Sequence, residues 1–433
     1  MSSPSGFTHN QKRLLFLSSL GGVLEFYDFI IYIFLAPFIE KLFFADSSTY
    51  IATLKTLAIF SVGYLIRPLG GILFSHFGDR HGRKVVFLLT VVLMAVPSFA
   101  IGLLPTTAYI GIAAPILLLI FRMMQGLALG GEIPAAITFV SEHVDIRQRG
   151  TALAILFFGI NLGLLLGSLV TTIITTLLPE SAMLAFGWRI PFIIGGFFGV
   201  ATLFLRRYLH ETTAFIALRQ QDVQRIPLFT LMRDHSWNVL QGLLLVSLGS
   251  VTVFFYLYWP QYLNQYMHYD LAALMRINTA GTLVLNFLIL VGGWLADRIG
   301  FRKTFLIASA FLVLFSYPLF ALLNMQSMAL VIFSYMTFSV VFGLIPSAYS
   351  AILCNLFPTS VRYSGIALSY NLAYAFFGGL SPVICTVAIN YTGSILAPAY
   401  YVIFIAAIAG TACYAGRRTR HPISTALAQA QTV

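Results

Sequence analysis

The chain has 433 residues, of which 59% are hydrophobic and only 9% charged, where a soluble domain carries roughly a quarter of its residues charged. That much apolar surface excludes a soluble globule, and it sets the formal net charge of +11 beside lipid rather than nucleic acid. Continuous apolar runs of about 18 residues or more read as transmembrane helices, unlike the short alternating strands of a barrel.

The start, Met1 to Arg13, is polar and basic and precedes an apolar run too long for a signal-peptide core, so it is expected to stay attached. Twelve spans follow, near 14–37, 52–76, 85–104, 109–140, 151–178, 188–208, 237–262, 270–296, 304–323, 327–355, 363–390 and 396–416. The widest polar connector, 209–236, separates an N-terminal six-helix bundle (1–208) from a C-terminal one (237–416), and 417–433 form a short tail. The expected fold class is therefore an all-α membrane protein of twelve transmembrane helices. Cys354, Cys385 and Cys413 lie apart in apolar segments and suggest neither disulfides nor a metal cluster.

Lysines and arginines set the orientation, because they concentrate on the cytoplasmic side. With the N-terminus inside, only Lys41, Lys55, Arg67, Arg122, Arg189 and Arg276 of the 25 basic residues fall elsewhere. Both termini are thus expected to be cytoplasmic, in the cell (inner) membrane.

A charge at the bilayer centre costs roughly 2.5–3.5 kcal/mol on insertion scales, so it normally faces a cavity and has a task. On the first helix Gly21, Glu25, Asp28 and Tyr32 share one face. On the fourth, Arg122, Gln125 and Glu132 fall within about 80° of one another at roughly 100° per residue, so that face too is expected to look inward. The second half has almost no such charge. It offers Tyr256 and Trp259 on the seventh helix, Asn278 and Asn286 on the eighth, Tyr335 on the tenth, and Asn371 and Tyr374 on the eleventh, as polar or aromatic surface.

The halves echo each other. Gly78-Asp79-Arg80-His81-Gly82-Arg83-Lys84 after the second span is matched by Ala296-Asp297-Arg298-Ile299-Gly300-Phe301-Arg302-Lys303 after the eighth. Likewise Arg147-Gln148-Arg149-Gly150-Thr151-Ala152-Leu153 is matched by Arg362-Tyr363-Ser364-Gly365-Ile366-Ala367-Leu368. Internal repeats of this kind are the architectural signature of secondary transporters.

The loop after the second span resembles that of the major facilitator superfamily. Gly22 to Phe29, Arg67-Pro68-Leu69-Gly70-Gly71, and Arg122-Met123-Met124-Gln125-Gly126 running on to Gly130-Gly131-Glu132 are similar to its metabolite:proton symporters. The resemblance implies proton-coupled uptake by alternating access. Its substrates would be small zwitterionic or anionic metabolites, such as a proline- or betaine-like osmolyte or an organic acid of the di- or tricarboxylate or shikimate kind.

The resemblance also implies a cavity lined by the first, fourth, seventh and tenth helices. Arg122, a planar bidentate donor, is then expected to hold a substrate carboxylate, with Gln125, Tyr32, Tyr256, Trp259 and Asn371 around the substrate. Asp28, Glu132 and Glu25 are the proton-coupling candidates, and no metal or cofactor is called for. Asp79, Arg80, Arg83, Asp297 and Arg298 are expected to form a gating latch at the cytoplasmic helix ends, with Arg67 a gate element beside them.

Gly159, Gly163 and Gly167 suit close helix packing, and Leu164 and Leu165 follow where an antiporter of the superfamily usually has proline, which disfavours the alternative of proton-coupled efflux. The histidines form no H-E-x-x-H and no enzyme constellation is present. The tail is too short for the output domain of a membrane sensor. Expected partners are the bilayer, a small polar metabolite and protons, with no nucleic acid, and the monomer is the expected working unit.

Overall fold

The computed structural model describes residues 7–45, 47–81, 83–207, 227–358 and 361–416, with Glu25, 75–81 and 83–88 among those described by backbone alone. The described residues are almost all helical, because backbone groups in lipid must find partners inside their own segment. In chain order the spans are α1 (His9–Phe34, continued by Ala36–Phe43), α2 (Thr49–Leu65, continued by Arg67–His81), α3 (Arg83–Leu103), and α4 (Ala113–Leu129, continued by Glu132–His143). Next come α5 (Arg149–Leu177), α6 (Arg189–Arg207), α7 (Ser236–Met267), α8 (Leu271–Ile299) and α9 (Phe301–Leu323). The last three are α10 (Met328–Gly343, continued by Ile345–Leu356), α11 (Arg362–Ala373, a π-helical turn Tyr374–Gly379, then Ser381–Thr392) and α12 (Ala397–Ala415). The expected connector 209–236 lies largely outside the described residues, apart from the short helix Pro227–Asp234.

Five spans are interrupted where continuous helices are expected. Pro37, Pro346 and Pro382 sit in the first turn after a break, and Pro68 holds the same place after Ile66. Proline lacks the N–H that would continue the ladder and clashes with the preceding turn, so each begins a new segment. The break in α4 falls at Gly130 and Gly131, the residues least able to hold a helix interior.

Within the first bundle α1 lies along α5, α3 along α6, and α2 along α4; within the second, α7 meets α11 and α12, α9 meets α12, and α8 meets α10. The glycine stripe of α5 is what brings it against α1: a Cβ on Gly163 would stand 2.2 Å from the Val23 carbonyl oxygen. Between bundles the main contacts are α5 with α8 and α2 with α11. Phe197, Phe287, Leu314 and Phe404 stay exposed, as side chains facing lipid do.

Hydrogen bonds join the bundles at both ends. On the face carrying the termini, the Asp297 carboxylate of α8 accepts from the Gly150 N–H (2.7 Å), the Thr151 N–H (2.8 Å) and the Thr151 hydroxyl (2.6 Å) at the start of α5. A carboxylate there satisfies the orphan donors of a helix N-terminus. Gly150 has to be glycine, since a Cβ would meet Asp297 Oδ1 at 2.7 Å. Arg362 pairs with Glu142 (2.9 Å) and Arg149 donates to Asn355 (2.8 Å) on the same face. On the opposite face Gln261 of α7 donates to Glu40 at 2.6 Å.

Candidate functional site

The first-helix stripe points inward. Asp28 and Tyr32 are buried, as are Ser98 on α3 and Arg122 and Gln125 on α4. The Ser98 hydroxyl donates to Asp28 Oδ2. Gln125 Nε2 donates to Ser98 Oγ at 2.7 Å and, longer, to Asp28 Oδ2 at 3.4 Å, while Arg122 Nη1 donates to Gln125 Oε1 at 2.9 Å. Asp28 and Arg122 are therefore linked through the Gln125 amide, a neutral relay between an acid and a base. Asp28 Oδ1 is buried without a hydrogen-bond partner.

Arg122 is also held by aromatic faces, its Cζ lying 4.6 Å from the Tyr32 ring and 5.8 Å from Phe60. Each such contact is worth about 2 kcal/mol when desolvated, which offsets part of the several kcal/mol that burial of a cation costs. Tyr32 is fixed in turn by its hydroxyl, which donates to the Thr56 carbonyl at 3.0 Å.

From Phe60 the aromatic surface runs on to Tyr64 (centroids 5.0 Å apart), then Tyr374 (6.4 Å) and Tyr370 (4.4 Å). Arg67 lies among the last three rings, 5.2 Å from Tyr64, 5.3 Å from Tyr374 and 5.9 Å from Tyr370. A ladder of rings thus connects two buried arginines, starting in the first bundle and ending on α11 in the second.

The remaining expected site residues are distributed differently. Glu132 is buried but opens the segment beyond the α4 break. Gly130 and Gly131, which separate the two segments, keep right-handed helical dihedrals, and Glu132 takes the first position of the second segment, where a carboxylate is favoured. Tyr256 bonds Ser339 (2.5 Å), and Trp259 stacks on Tyr335 at 4.4 Å among Phe255, Phe320 and Phe338. Both lie in an aromatic core of α7, α9 and α10, where Trp259 is buried. Tyr335 donates to Asn278, which donates to Ser168 of α5 at 3.2 Å.

Asn371 donates to the Gly130 carbonyl at the α4 break (2.6 Å), and Tyr363 donates to the Gly131 carbonyl (3.3 Å). Arg298 lies 4.0 Å over Trp294 of its own helix, while Asp297 makes the contacts between bundles. The side chains of Glu25, Asp79, Arg80 and Arg83 lie outside the described residues.

Two groups have no counterpart among the expected residues. Ser98 is one of two hydroxyl residues, with Thr90, in the apolar helix α3, and only Pro97 before it marks the position. Glu40 accepts from Thr53 (3.0 Å) as well as Gln261, and Gln265 donates to Thr53 (3.2 Å). A carboxylate three residues past Pro37 in an apolar stretch was the available sign.

The chain matches the family profile described as Major Facilitator Superfamily over residues 18–382. It belongs to that superfamily. A proline/betaine transporter of Salmonella typhimurium is 35% identical over 408 residues, covering 92% of this chain and 81% of the relative. A glycine betaine/proline/ectoine/pipecolic acid transporter of Dickeya dadantii is 34% identical over 408 residues, covering 92% and 81%.

Among solved structures, the xylose transporter XylE from E. coli in a partially occluded inward-open conformation superposes with a TM-score of 0.74 at 14% identity, covering 95% of this chain and 100% of that one. The proton:xylose symporter bound to a bromo-deoxyglucose gives 0.74 at 16%, covering 94% and 95%. This superfamily member is a multi-pass membrane transporter for small solutes, with the twelve-helix, two-bundle fold, and not an enzyme.

Proposed function

We propose that this chain imports a small zwitterionic osmolyte of the proline or betaine kind together with protons, by alternating access across the cell (inner) membrane, with both termini cytoplasmic. The relatives' names support the substrate class, and their coverage of nearly the whole chain makes the comparison one of whole proteins.

The observation that carries proton coupling is the buried Asp28 carboxylate, bound on one oxygen by Ser98 and Gln125 and unbonded on the other. Asp28 takes up a proton on Oδ1, and the Gln125 relay reports its charge to Arg122. Neutralising the acid removes one of the attractions that hold Arg122, so loading of the proton is coupled to rearrangement of α1 against α4. Glu132, at the helix start beyond the break, is the second candidate for the proton.

Asp297 at the N-terminus of α5 is one arm of the cytoplasmic latch. By the sequence repeat, Asp79 is the candidate for the corresponding arm. Residues 209–236 join the two bundles, and the monomer is the working unit.

The test is uptake of labelled proline and glycine betaine into proteoliposomes holding the full chain, with and without an imposed pH gradient. Accumulation that requires the inward proton gradient and collapses with a protonophore is the expected result. Uptake that ignores the protonophore and needs sodium instead would remove the proton from this mechanism.

A further inference from the structure

Arg67 has no part in the proton relay, and its surroundings are unlike those of any other arginine described here. The side chain is fully buried, and Nε, Nη1 and Nη2 all lack a hydrogen-bond partner. A guanidinium has five N–H donors in a planar fork, which is the complement of a carboxylate. None is used on the protein. What surrounds the group is aromatic: Tyr64 from the first bundle, Tyr370 and Tyr374 from the second, with ring centroids 5.2–5.9 Å away. Rings so placed receive cations, alkylated ammonium groups above all. Beside them Asn371 Oδ1 is a further buried acceptor without a partner.

We infer that Arg67 and the cage of Tyr64, Tyr370 and Tyr374 form a subsite for a zwitterion, whose carboxylate takes the guanidinium donors and whose alkylated ammonium takes the tyrosine faces. The assignment deepens the osmolyte reading and rests on it. It also moves the substrate carboxylate away from Arg122, whose Nη1 is committed to Gln125 and through it to Asp28.

In the absence of ligand the guanidinium fills the cage itself. An entering carboxylate draws it off the rings, and the vacated faces accept the cationic end of the same molecule. A simple anion satisfies Arg67 but leaves the rings empty, and a simple cation has to compete with Arg67 for them. Only a molecule with both charges serves both. Because the cage is built from α2 and α11, the ligand joins the two bundles when it binds.

The experiment is equilibrium binding of labelled glycine betaine to the full chain in nanodiscs, with tetramethylammonium and acetate as competitors. Arg67→Gln is expected to weaken betaine about tenfold or more, the loss of a charge-assisted pair, while tetramethylammonium binds as well as before or better. Arg67→Lys keeps the charge but not the fork, and should weaken betaine with tetramethylammonium unchanged. Tyr374→Leu should weaken both ligands, and Tyr374→Phe should leave both within about threefold, since the ring face is what acts.

Equal losses of betaine and tetramethylammonium in Arg67→Gln, or no loss in either Arg67 variant, would overturn the subsite while leaving the osmolyte reading intact. A parent protein that binds neither betaine nor proline would overturn both.

Discussion

The two bundles descend from one pattern and solve different problems with it. In the first, Asp28, Ser98, Gln125 and Arg122 set charge into the middle of the helices. In the second, the corresponding depth holds Tyr256, Trp259, Tyr335 and Asn278, all neutral and bonded or stacked among themselves. Buried charge is expensive, and concentrating it in one bundle confines that cost to one half of the molecule. The neutral half can then pack as a stiff aromatic body. The two meet where Arg67, of the first, lies against Tyr370 and Tyr374, of the second.

The sharpest way to break this comparison is to neutralise the charged half. Asp28→Asn preserves shape but holds no proton, so accumulation against a gradient should fall to background while exchange of labelled for unlabelled substrate persists. Accumulation at the parent level in proteoliposomes would take the proton away from Asp28.

Next in size is the contact of Asp297 with the start of α5. Asp297→Ala removes a carboxylate that accepts three hydrogen bonds at the start of α5, each worth about 1.5–3 kcal/mol net with a charged partner. The initial rate of uptake should drop tenfold or more at matched surface expression, and an unchanged rate would reduce Asp297 to a topology signal.

The neutral half should respond much less. Tyr256→Phe loses the bond to Ser339 and costs about 0.5–1.5 kcal/mol, visible as a melting point lowered by a few degrees with the KM for uptake within about twofold. A large change in KM would place Tyr256 at the substrate after all. The smallest effect belongs to Glu142→Gln, which breaks the pair with Arg362, a partly exposed bridge worth about 0–1 kcal/mol. Its uptake rate should match the parent's within about twofold, and a greater loss would show that this contact is part of the latch.

Much of this was legible in the chain itself, for definite reasons. Lipid demands helices, so the twelve spans are found within a few residues of where hydropathy puts them. Intramembrane charge is rare enough that Asp28 and Arg122 stand out. Helix breaks were less visible. The interruption of α4 at Gly130 and Gly131 is one, since a Gly-Gly pair in an apolar run reads equally as a packing face.

Ser98 was invisible because one hydroxyl in a transmembrane helix usually bonds its own backbone, as its additional bond to the Met94 carbonyl shows. The partners of Asn371 and Tyr363 could not be read at all. They are backbone carbonyls, which every residue has and no residue type marks.

Those carbonyls give the breaks in α4 and α11 a thermodynamic meaning. Gly130, Gly131 and Gly379 offer oxygens to Asn371, Tyr363 and Ser61 respectively, each donor belonging to the opposite bundle. When the bundles part and the solution enters between them, water takes over from each donor, and a hydrogen bond traded for one to water changes the free energy by only about 0.5–1.5 kcal/mol. A clasp made of such bonds is firm in geometry and shallow in energy. It keeps the two arrangements near balance, so that a solute favouring one of them by a few kcal/mol decides which is populated.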